Sequence, residues 1–362
     1  MRYDNRVMIG EREVALDQPT YFIADIGSNH EGDIGRAKAL VRLAAEAGAD
    51  AAKFQHFLAP KIVSDYGFRH LGGQIGHQAA WDKPVVEVYR QYEFNRDWNQ
   101  ALADEAAAAG IAFMTTPYDE EAIRTCAPLV PAFKVGSGDI TWTPSLTRIA
   151  AAGKPVLLAT GAATLDDVDR AVDAILGQIR QIVLMQCNTN YTGSVDNFRY
   201  QNLRVLRTYA LRWPGMVLGL SDHTSGHAAV LGAVALGARV IEKHFTDDNA
   251  RAGPDHSFAM NPASWREMVV RTRELELALG DGSKRIEANE RDTVVVQRRC
   301  LRLCADRPAG HKLAADDLDA LRPAPDGALA PFRQDDVIGR ALKVDKPAGD
   351  ALYAHDLEGL DA

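Results

Sequence analysis

Two histidines follow two apolar runs in the C-terminal half of the chain, and both are candidates for catalysis. His223 follows the run 217–220, and His244 follows the run 240–241. If both runs are parallel strands of one sheet, the imidazoles lie at strand C-terminal ends and face the same space, where α/β barrels keep their catalytic groups. Because imidazole is a common ligand of catalytic divalent metals, the pair predicts a metal site. The simpler alternative is that each histidine satisfies a local hydrogen bond.

Polar residues also follow the other apolar runs. Two of them are lysines, Lys53 and Lys134, and several carry hydroxyl groups. Ammonium groups supply positive charge and hydroxyl groups form hydrogen bonds that match the shape of the ligand, so the set suits a small dianion such as a phosphate ester. A carboxylate on the same substrate would explain the second lysine. Solvated surface lysines are the alternative. The polar residues at the predicted strand ends are Asp25, Asn29, His30, Lys53, Gln55, Thr116, Lys134, Ser137, Asp139, Thr160, Thr189, Tyr191, Ser221, His223, Lys243, His244 and Asp255.

The elements that must position these residues alternate between apolar runs and amphipathic segments. The run 21–26 is followed by a polar loop, by a helix predicted over 34–47 that ends at Gly48, and by a strand predicted over 51–55. This is the pattern of a βαβ unit. About eight such units fit into about 260 residues, the length expected of a (β/α)8 TIM barrel. An open doubly wound sheet is the main alternative, but no G-x-G-x-x-G motif follows the first strand, which weakens a dinucleotide-binding fold.

Other segments have their own patterns. Residues 4–19 are predicted to form a polar hairpin, for which capping the bottom of the barrel is one role, and a helix is predicted over 200–212. Residues 57–95 interrupt the alternation with glycines, aromatics and a short helix around 84–91; such an insertion is usually a substrate lid or wall. The composition changes at Gly280, so we assign 1–280 to the barrel, 281–293 to a charged linker and 294–362 to a small β-rich domain of about 70 residues.

The composition is typical of a globular protein. The chain has 362 residues, of which 46% are hydrophobic and 25% charged, with a formal net charge of −8. No basic stripe favours nucleic-acid binding, and no apolar stretch approaches the ~18 residues of a membrane span. The four cysteines give no disulfide framework, and we expect Cys300 and Cys304 to be buried on one side of a strand. Without a signal-peptide pattern, a cytoplasmic protein is expected.

Several longer motifs resemble the sialic acid synthase family, which comprises N-acetylneuraminate synthase and related nonulosonic acid synthases. They cover nearly the whole chain and occur in order. The motifs of the barrel are Asn29-His30-Glu31-Gly32, Lys53-Phe54-Gln55, Lys134-Val135-Gly136-Ser137-Gly138, Gly219-Leu220-Ser221-Asp222-His223-Thr224, Glu242-Lys243-His244-Phe245-Thr246 and Gly253-Pro254-Asp255. The tail resembles that family's C-terminal antifreeze-like (SAF) domain through Asp316-Asp317-Leu318, Leu321-Arg322-Pro323, Ile338-Gly339-Arg340 and Ala354-His355-Asp356-Leu357.

The resemblance implies a reaction, a metal and an assembly. Enzymes of this family condense phosphoenolpyruvate with an open-chain aldose, typically N-acetylmannosamine, to a 2-keto-3-deoxy sugar acid and release phosphate. A divalent metal, expected to be Mn²⁺ with Mg²⁺ or Co²⁺ as alternatives, would be bound by His223 and His244 and polarise the aldehyde. A domain-swapped homodimer is implied. We expect no nucleic-acid or membrane partner.

The resemblance also assigns site residues. Phosphoenolpyruvate would be bound by Lys53, Thr116, Lys134, Ser137, Thr160, Thr189 and Ser221. The acceptor would be contacted by Gln55, Tyr191, Asp255 and Arg322, the last reaching across the dimer to the partner's site. The candidate catalytic residues are Asp25, Asp139, His223 and His244. A carboxylate can stabilise cationic character at C2 and act as acid or base when water adds and phosphate leaves.

The chain departs from the family pattern in four places. Asp25 and Asp139 stand where the family commonly has Glu, and each loses one methylene of reach. Tyr191 is followed by Thr192-Gly193 rather than by proline, and Ala159 stands where a serine often helps to bind phosphate. The acceptor end is thus altered while the metal and phosphoenolpyruvate ends look intact. We therefore expect the donor chemistry on an aldehyde other than N-acetylmannosamine.

Three other functions are left open by the residues. A pyruvate-dependent Schiff-base aldolase would use Lys134 or Lys243, but it leaves the histidine pair unexplained. A metal-dependent hydrolase normally needs further His or Asp ligands, and the first strand has no His-x-His motif. A non-catalytic sugar-binding protein would fit if Asp25 and Asp139 mark a lost activity. Metal-dependent phosphate release from phosphoenolpyruvate only in the presence of an aldehyde would separate the synthase from all three.

Overall fold

The chain folds into a closed barrel of eight parallel strands, followed by a small second unit. The structure, a computed structural model, describes residues 2–73, 75, 78 and 81–361. The strands are β1 (Val7–Ile9), β2 (Arg12–Val14), β3 (Tyr21–Asp25), β4 (Ala51–His56), β5 (Ala112–Pro117), β6 (Phe133–Val135), β7 (Val156–Ala159), β8 (Ile182–Cys187), β9 (Val217–Asp222), β10 (Ala238–His244), β11 (Cys300–Leu303) and β12 (Leu318–Leu321). The α-helices are α1 (Ile34–Glu46), α2 (Ala59–Ile62), α3 (Asp65–Arg69), α4 (Val85–Gln91), α5 (Asn99–Ala108), α6 (Glu120–Cys126), α7 (Thr143–Ala151), α8 (Leu165–Leu176), α9 (Val205–Arg212), α10 (Ala228–Ala235), α11 (Pro262–Leu279), α12 (Arg291–Gln297) and α13 (Gln334–Val337).

The barrel is formed by β3 to β10. These strands pair in sequence order, and β10 returns to pair with β3. Every neighbouring pair is parallel, so the predicted (β/α)8 TIM barrel is confirmed and the open doubly wound sheet is wrong. The outward side chains of the strands pack against the helices in one large buried cluster. Because both faces of each strand are covered, the strands have continuous apolar sequences rather than alternating ones.

The N-terminal hairpin closes the bottom of the barrel. β1 pairs antiparallel with β2, and their buried side chains join the lower interior residues of the barrel, among them Tyr21 and Val217. The guanidinium of Arg12 pairs with the carboxylate of Asp50, which lies immediately before β4. The predicted hairpin is therefore present, and it caps the N-terminal ends of the strands.

The helix predicted over 34–47 is present as α1, whereas the prediction did not contain α2 and α3 and misplaced the start of the helix before β9. The predicted helix 200–212 is wrong in its first turn, because a 3₁₀ turn covers Val195–Tyr200 and α9 begins only at Val205. Asn202 has a φ of +44°, a left-handed conformation that interrupts a right-handed helix. In the insertion 57–95, α4 matches the predicted helix. The insertion residues Gln74, Gly76, His77, Ala79 and Ala80 lie outside the described part of the chain.

The chain divides into two compact units, of which the first ends at Gly280 and the second begins at Asp281. In the second unit, β11 pairs antiparallel with β12, and single β-bridges join other extended segments. Its core is a separate buried cluster composed mainly of leucines. The segment 281–293, predicted as a linker, contains a 3₁₀ turn at Ala288–Glu290 and the first residues of α12.

A sequence repeat organises the second unit. The pattern Arg-Pro-Ala-Gly followed by Asp-Leu at 307–318 recurs as Lys-Pro-Ala-Gly followed by Asp-Leu at 346–357. In each copy the first cation pairs with the later aspartate: Arg307 Nη2 lies 2.7 Å from Asp317 Oδ1, and Lys346 Nζ lies 2.6 Å from Asp356 Oδ2. Arg307 and Lys346 also face each other in an antiparallel bridge. The β-rich domain therefore has an internal symmetry that the prediction did not contain.

All four cysteines are free, as expected for a chain without a disulfide framework. Cys300 is buried, but Cys304 is exposed because β11 ends at Leu303, so the expectation of burial is wrong for Cys304. Within the described ranges, no helix combines the length and the apolar character needed to cross a membrane.

Candidate active site

Alternate residues of each barrel strand point into the barrel, and the interior changes from apolar to polar along the strands. Tyr21 and Ile23 of β3 lie in the lower apolar layer, so Asp25, two residues further on, also faces the interior. The same alternation on the other strands produces a polar layer at their C-terminal ends. This layer contains Asp25, Lys53, Gln55, Thr116, Lys134, Ser221, Glu242 and His244.

Asp25 and Lys53 form a buried ion pair between neighbouring strands. The register pairs them directly, Lys53 Nζ lies 2.9 Å from Asp25 Oδ2, and Gln55 Nε2 donates to the same oxygen at 3.0 Å. Burial acts to raise the pKa of Asp25, but the charges of Lys53 and His244 outweigh it and hold that pKa at about 2. Burial also opposes the charge of Lys53, yet the carboxylates of Asp25 and Glu242 raise its pKa. Both members of the pair are therefore charged at neutral pH.

A second buried lysine pairs with a carboxylate that sequence analysis missed. Lys134 Nζ lies 3.2 Å from Glu242 Oε1, and Ser221 Oγ donates to the same oxygen at 3.1 Å. The other carboxylate oxygen of Glu242 is buried without a hydrogen-bond partner among the described residues. Glu242 stands two residues before His244, so the period of the strand places both side chains on one face. That spacing is the signal that identifies Glu242 as a site residue.

His223 and His244 lie side by side, with ring centroids 5.4 Å apart. His223 Nδ1 is 2.8 Å from the carbonyl oxygen of Asn188. Because a carbonyl only accepts, Nδ1 is the donor in this contact, and in the neutral ring the lone pair is therefore on Nε2. His244 Nδ1 is buried and finds no hydrogen-bond partner in the described part of the chain. The ring of Tyr191 packs on His223, with centroids 4.3 Å apart.

This arrangement fits a divalent metal held by the two imidazoles. Imidazole nitrogens bind zinc-like ions at about 2.0–2.1 Å, so two rings that share one ion must be neighbours, as these rings are. Carboxylate oxygens of Asp25 and Asp255 lie 3.7 Å and 3.8 Å from the two nitrogens of His244 and add negative charge. No group of three or more His, Cys, Asp or Glu side chains within the described ranges forms a ready metal site. Substrate or water oxygens would therefore have to complete the coordination.

Gly27 allows the loop after β3 to approach the loop after β10. Its φ is +51°, and a Cβ at this position would lie 3.0 Å from Asp255 Oδ2 and 3.3 Å from His244 Nδ1. The backbone N–H of Ser28 donates to Asp255 Oδ2 at 3.3 Å. A side chain at position 27 would be strained by this φ and would press on Asp255 Oδ2 and His244 Nδ1, so the glycine allows Asp255 to lie beside His244.

Three of the predicted phosphate-binding hydroxyl residues lie around Lys53 and Gly161. The hydroxyl of Thr116 accepts from Lys53 Nζ at 3.2 Å. Ser137 Oγ accepts from the backbone N–H of Gly161 at 2.9 Å. Thr189 is a neighbour of Ser137, because a Cβ on Gly161 would lie 2.6 Å from Thr189 Cγ2 and 3.0 Å from Ser137 Oγ. Thr116 thus lies beside the first lysine pair, and Ser137 and Thr189 lie together at Gly161, after β6 and β8.

The structure does not bring Thr160 to these residues. Thr160 Oγ1 donates to the carbonyl oxygen of Met185 at 3.0 Å and accepts from the hydroxyl of Tyr209 at 2.9 Å. The alternation along β7 explains this: Leu157 faces the interior, so Ala159 does too, and Thr160 faces the helices. Its hydroxyl group is therefore committed to the contact with α9.

The two candidate catalytic aspartates have different environments. Asp139 ends a 3₁₀ turn, Ser137–Asp139, after β6 and is half-buried. Burial raises the pKa of Asp139 to about 6, whereas the ion pair with Lys53 keeps Asp25 ionised. A carboxyl group that titrates near pH 6 can exchange a proton close to neutral pH, while a permanently ionised one supplies negative charge.

A pocket with a largely aromatic lining opens beside His244. Ser28, Gln55 and Asp255 line its polar end, next to His244. The insertion 57–95 supplies most of the remaining wall, with Phe57, Ile62, Trp81, Val88, Tyr89 and Tyr92. Tyr118 and Tyr191 complete it from the loops after β5 and β8. The insertion thus forms a wall of the pocket beside His244, one of the two predicted metal ligands, and a wall is one of the two roles expected of it.

Two further residues named by the prediction lie outside the polar layer. Lys243 Nζ is 2.5 Å from Asp222 Oδ2 and donates to the carbonyl oxygen of Thr224 at 2.6 Å. Its side chain faces the helices, because its neighbour His244 takes the inward position. Arg322 belongs to the second unit, where it follows β12 and is exposed. Its contact with an acceptor stays a prediction.

Comparison with known proteins gives matches over most of the chain. The sequence profile of the NeuB family matches residues 40–284, and that of the SAF domain matches residues 298–358. The N,N'-diacetyllegionaminic acid synthase of Legionella pneumophila is 32% identical over 98% of this chain and 99% of that protein. The human N-acetylneuraminate-9-phosphate synthase is 34% identical over 76% of this chain and 75% of that protein. The crystal structure of the N-acetylneuraminic acid (sialic acid) synthetase from Leptospira borgpetersenii, in complex with citrate, aligns with a TM-score of 0.70 and 26% identity over 80% of this chain and 95% of that one.

Proposed function

The chain belongs to the NeuB family and ends in a SAF domain, and from this premise we propose that it condenses phosphoenolpyruvate with the aldehyde group of an open-chain aldose. The product is a 2-keto-3-deoxy sugar acid of the nonulosonic acid type, and phosphate is released. The observation that carries the proposal is the position of two buried lysine–carboxylate pairs beside the histidine pair. Lys53 lies 2.9 Å from Asp25, and Lys134 lies 3.2 Å from Glu242.

The two lysines suit the two anionic groups of phosphoenolpyruvate. An ammonium group has three donors, so Lys53 and Lys134 each have N–H groups beyond the one that binds a carboxylate. The hydroxyl groups of Thr116 and Ser221 lie next to the first and second lysine pair. Charge-assisted hydrogen bonds in a buried site are stronger than those in water. The donor would therefore be held by charge and oriented by hydroxyl groups.

His223 and His244 would hold a divalent metal, and we expect Mn²⁺. When bound, such an ion acts as a Lewis acid that polarises the aldehyde oxygen. The carbonyl of Asn188 fixes the tautomer of His223 and makes Nε2 the nitrogen that would coordinate the ion. The carboxylates of Asp25 and Asp255 add negative charge beside His244, and this charge favours a cation at the same place.

The proposed reaction forms a C–C bond between the two substrates, adds the oxygen of water to C2 and breaks the C2–O bond to phosphate. C3 of phosphoenolpyruvate attacks the aldehyde carbon, and the aldehyde oxygen takes up a proton and becomes a hydroxyl group. C2 acquires cationic character, which the ionised carboxylate of Asp25 stabilises. Water then adds to C2 and gives up one proton, and a ketone remains when the C2–O bond to phosphate breaks and the hydroxyl proton of the tetrahedral intermediate passes to the departing phosphate. Asp139, with a pKa of about 6, is our candidate for the group that accepts the proton of the water.

The Schiff-base aldolase has less support. Its nucleophile must be an uncharged amine. Lys134 is engaged by Glu242, and Lys243 is engaged by Asp222 at 2.5 Å and faces away from the barrel interior. The aldolase also gives no role to His223 and His244.

We further propose that two copies of the chain share their acceptor sites through Arg322. The test mixes two variants, Arg322→Ala and Lys134→Met, each inactive as a pure dimer. If Arg322 of one subunit serves the partner's barrel, a mixed dimer contains one site with both residues intact, and activity returns on mixing. Activity that stays absent in a mixed dimer of demonstrated composition would show that each subunit builds its own site.

The decisive experiment for the main reaction measures phosphate release from phosphoenolpyruvate. Protein treated with a chelator is reloaded with Mn²⁺ and supplied with a panel of aldoses and other aldehydes. We expect phosphate only when metal and aldehyde are both present, with a product that contains the carbons of both substrates. Lys53→Met should abolish release, whereas Lys154→Met, which changes a lysine before β7 at the opposite end of the barrel, should not. Release without aldehyde, or pyruvate trapped on the protein by borohydride, would reject the synthase.

A further inference from the structure

The loops after β3 and β10 are joined by ion pairs at the C-terminal end of the barrel. Glu31 lies in the first of these loops, and Arg251 lies in the second. Arg251 Nε and Nη2 donate to the two carboxylate oxygens of Glu31, at 2.7 Å and 2.6 Å. His256 is fully buried, and its Nε2 lies 3.0 Å from Glu31 Oε1. One carboxylate therefore contacts the loop after β10 at two places.

A second ion pair joins the same two segments with the opposite polarity. Arg36, in the first turn of α1, donates to both carboxylate oxygens of Asp247, at 2.7 Å and 2.5 Å. Its Nε donates to the carbonyl oxygen of Asn29 at 2.7 Å. Here the cation belongs to the segment after β3 and the anion to the loop after β10. Because pairs of arginine with both oxygens of a carboxylate have a fixed geometry, the two pairs set the orientation of the loop as well as its position.

The backbone of Glu31 has an unusual conformation. Its φ is +52°, in the left-handed region that residues with a side chain rarely adopt. Glycine would adopt this conformation without strain. A strained residue persists only where the surrounding contacts hold it in place. The contacts that hold Glu31 are those of its carboxylate, so the carboxylate is the functional part of this residue.

Asp255 is the pocket residue that these contacts hold. It directly precedes His256, and it lines the pocket beside His244. Its Oδ2 lies 3.8 Å from His244 Nδ1 and accepts from the backbone N–H of Ser28 at 3.3 Å. Ser28 belongs to the same loop as Glu31. If the two loops separate, Asp255 must therefore move away from His244.

We propose that Glu31 is a positioning residue for the acceptor, because it holds Asp255 where that carboxylate meets the hydroxyl groups of the sugar. The inference rests on the proposed function and adds a residue to it. Glu31 is 27% exposed and is not among the described residues that line the pocket. Its effect on the acceptor therefore passes through the loop that carries Asp255.

The proposed donor site is supported by other contacts. Lys53 and Lys134 pair with Asp25 and Glu242, and all four residues lie on strands of the barrel. Loosening the loop after β10 should therefore weaken the binding of the acceptor and leave the binding of phosphoenolpyruvate unchanged. This difference separates a positioning residue from a residue that only stabilises the fold.

The test removes the carboxylate in two ways. Glu31→Gln keeps the length of the side chain, whereas Glu31→Gly also relieves the backbone. Phosphate release is measured at saturating Mn²⁺ with N-acetylmannosamine and with the most active aldehyde of the panel. For both variants we expect the KM for the acceptor to rise roughly tenfold and the KM for phosphoenolpyruvate to change less than about twofold. Glu274→Gln, which breaks an exposed pair with Arg271 on α11, is the control and should change neither.

Arg251→Gln is an independent check, because it breaks the same contact from the other loop. It should also raise the KM for the acceptor, and the double variant Glu31→Gln/Arg251→Gln should raise it no further, since the two residues act through one contact. An unchanged acceptor KM in the folded variants, or an equal rise for both substrates, would make the inference wrong while the proposed function stands. A rise in Glu31→Gly alone would assign the effect to the backbone and would also overturn the inference. If no aldehyde supports phosphate release by the wild-type protein, both are wrong.

Discussion

Lys243 and Asp222 form a buried ion pair that joins the two strands carrying the histidine pair. Lys243 Nζ lies 2.5 Å from Asp222 Oδ2, and the two side chains are 1% and 0% exposed. The register makes them direct neighbours on β10 and β9. Each residue immediately precedes a histidine, so the pair lies outside the barrel wall and His223 and His244 lie inside it. The spacing of the imidazoles is therefore fixed from the outer side of the sheet.

Breaking this pair should weaken both the fold and metal binding. Lys243→Met leaves the buried carboxylate of Asp222 with the hydrogen bonds of Thr224 but without its ion-pair partner, so we expect the free energy of unfolding to fall by about 3–5 kcal/mol. The affinity for Mn²⁺, measured by calorimetry below the melting temperature, should fall roughly tenfold or more, because the histidines lose their fixed spacing. Arg2→Met is the control, since the pair of Arg2 with Asp173 is 67% and 63% exposed and is worth at most about 1 kcal/mol. Unchanged Mn²⁺ affinity in a folded Lys243→Met protein would contradict the positioning role.

Asp139 should determine the acidic limb of the pH profile. Burial raises its pKa from 3.8 to about 6, so the carboxyl group is protonated below that pH and ionised above it. If the ionised form accepts the proton of the attacking water, kcat rises as the pH passes about 6. Asp139→Asn should remove this limb and lower kcat about a hundredfold to ten-thousandfold. The measurement is kcat from pH 5 to 8, at saturating substrates.

The raised pKa of Asp139 should make kcat rise with pH, but it should make the free energy of unfolding fall with pH. Between the unfolded and the folded pKa of Asp139, the native state binds the proton more tightly, so the free energy of unfolding falls as the pH rises. This contribution is complete below pH 3.8 and is lost as the pH passes about 6. Asp139→Asn should therefore be at least as stable as the wild type at pH 7 while it is much less active. A variant that is inactive because it is destabilised would contradict the assignment.

Asp25→Asn should show how much the ion pair with Lys53 stabilises the barrel. The pKa of Asp25 is lowered from 3.8 to about 2, so its contribution is present above pH 3.8 and is lost as the pH falls through about 2. At pH 7 the variant leaves the buried Lys53 without its ion-pair partner, with only the more remote carboxylates of Glu242 and Asp255 to balance its charge, and should lose about 3–5 kcal/mol of unfolding free energy. The difference from the wild type should narrow on acidification, as measured by denaturant unfolding at pH 7 and 3. Asp25→Glu keeps the charge and is the control; a penalty for Asp25→Asn that does not depend on pH would show that shape, not charge, matters.

The sequence predicts a site residue well where a strand start is clear. The apolar run that begins at Tyr21 and the period of two place Asp25 inside the barrel, and the same reasoning holds for Lys53 and Lys134. For β7 the same period of two places the side chain of Ala159 inside the barrel and that of Thr160 outside it. This follows only once Leu157 is known to face the interior. A shift of one residue exchanges the two faces of a strand. The position of Thr160 at the end of a strand is therefore compatible with either face, and the structure places its side chain against the helices.

Contacts between strands are harder to predict than positions along them. Lys134 and Glu242 lie on β6 and β10, far apart in sequence, and they meet only because the closed barrel brings their inward side chains together. The late start of α9 depends on Asn202, and asparagine permits a left-handed conformation without requiring it. Both features follow from the tertiary structure rather than from local sequence pattern.

Gly161 leaves no room for a side chain between two of the proposed donor-binding residues. A Cβ at this position would lie 2.6 Å from Thr189 Cγ2 and 3.0 Å from Ser137 Oγ, and the N–H of Gly161 donates to that serine oxygen at 2.9 Å. Gly161→Ala must therefore displace one of them, and we expect the KM for phosphoenolpyruvate to rise roughly tenfold, with Mn²⁺ affinity unchanged because the histidines lie on other strands. Gly138→Ala is the matched control in the loop of Ser137, since nothing lies within 4 Å of its Cβ. A folded Gly161→Ala protein with an unchanged KM would remove Ser137 and Thr189 from the donor site.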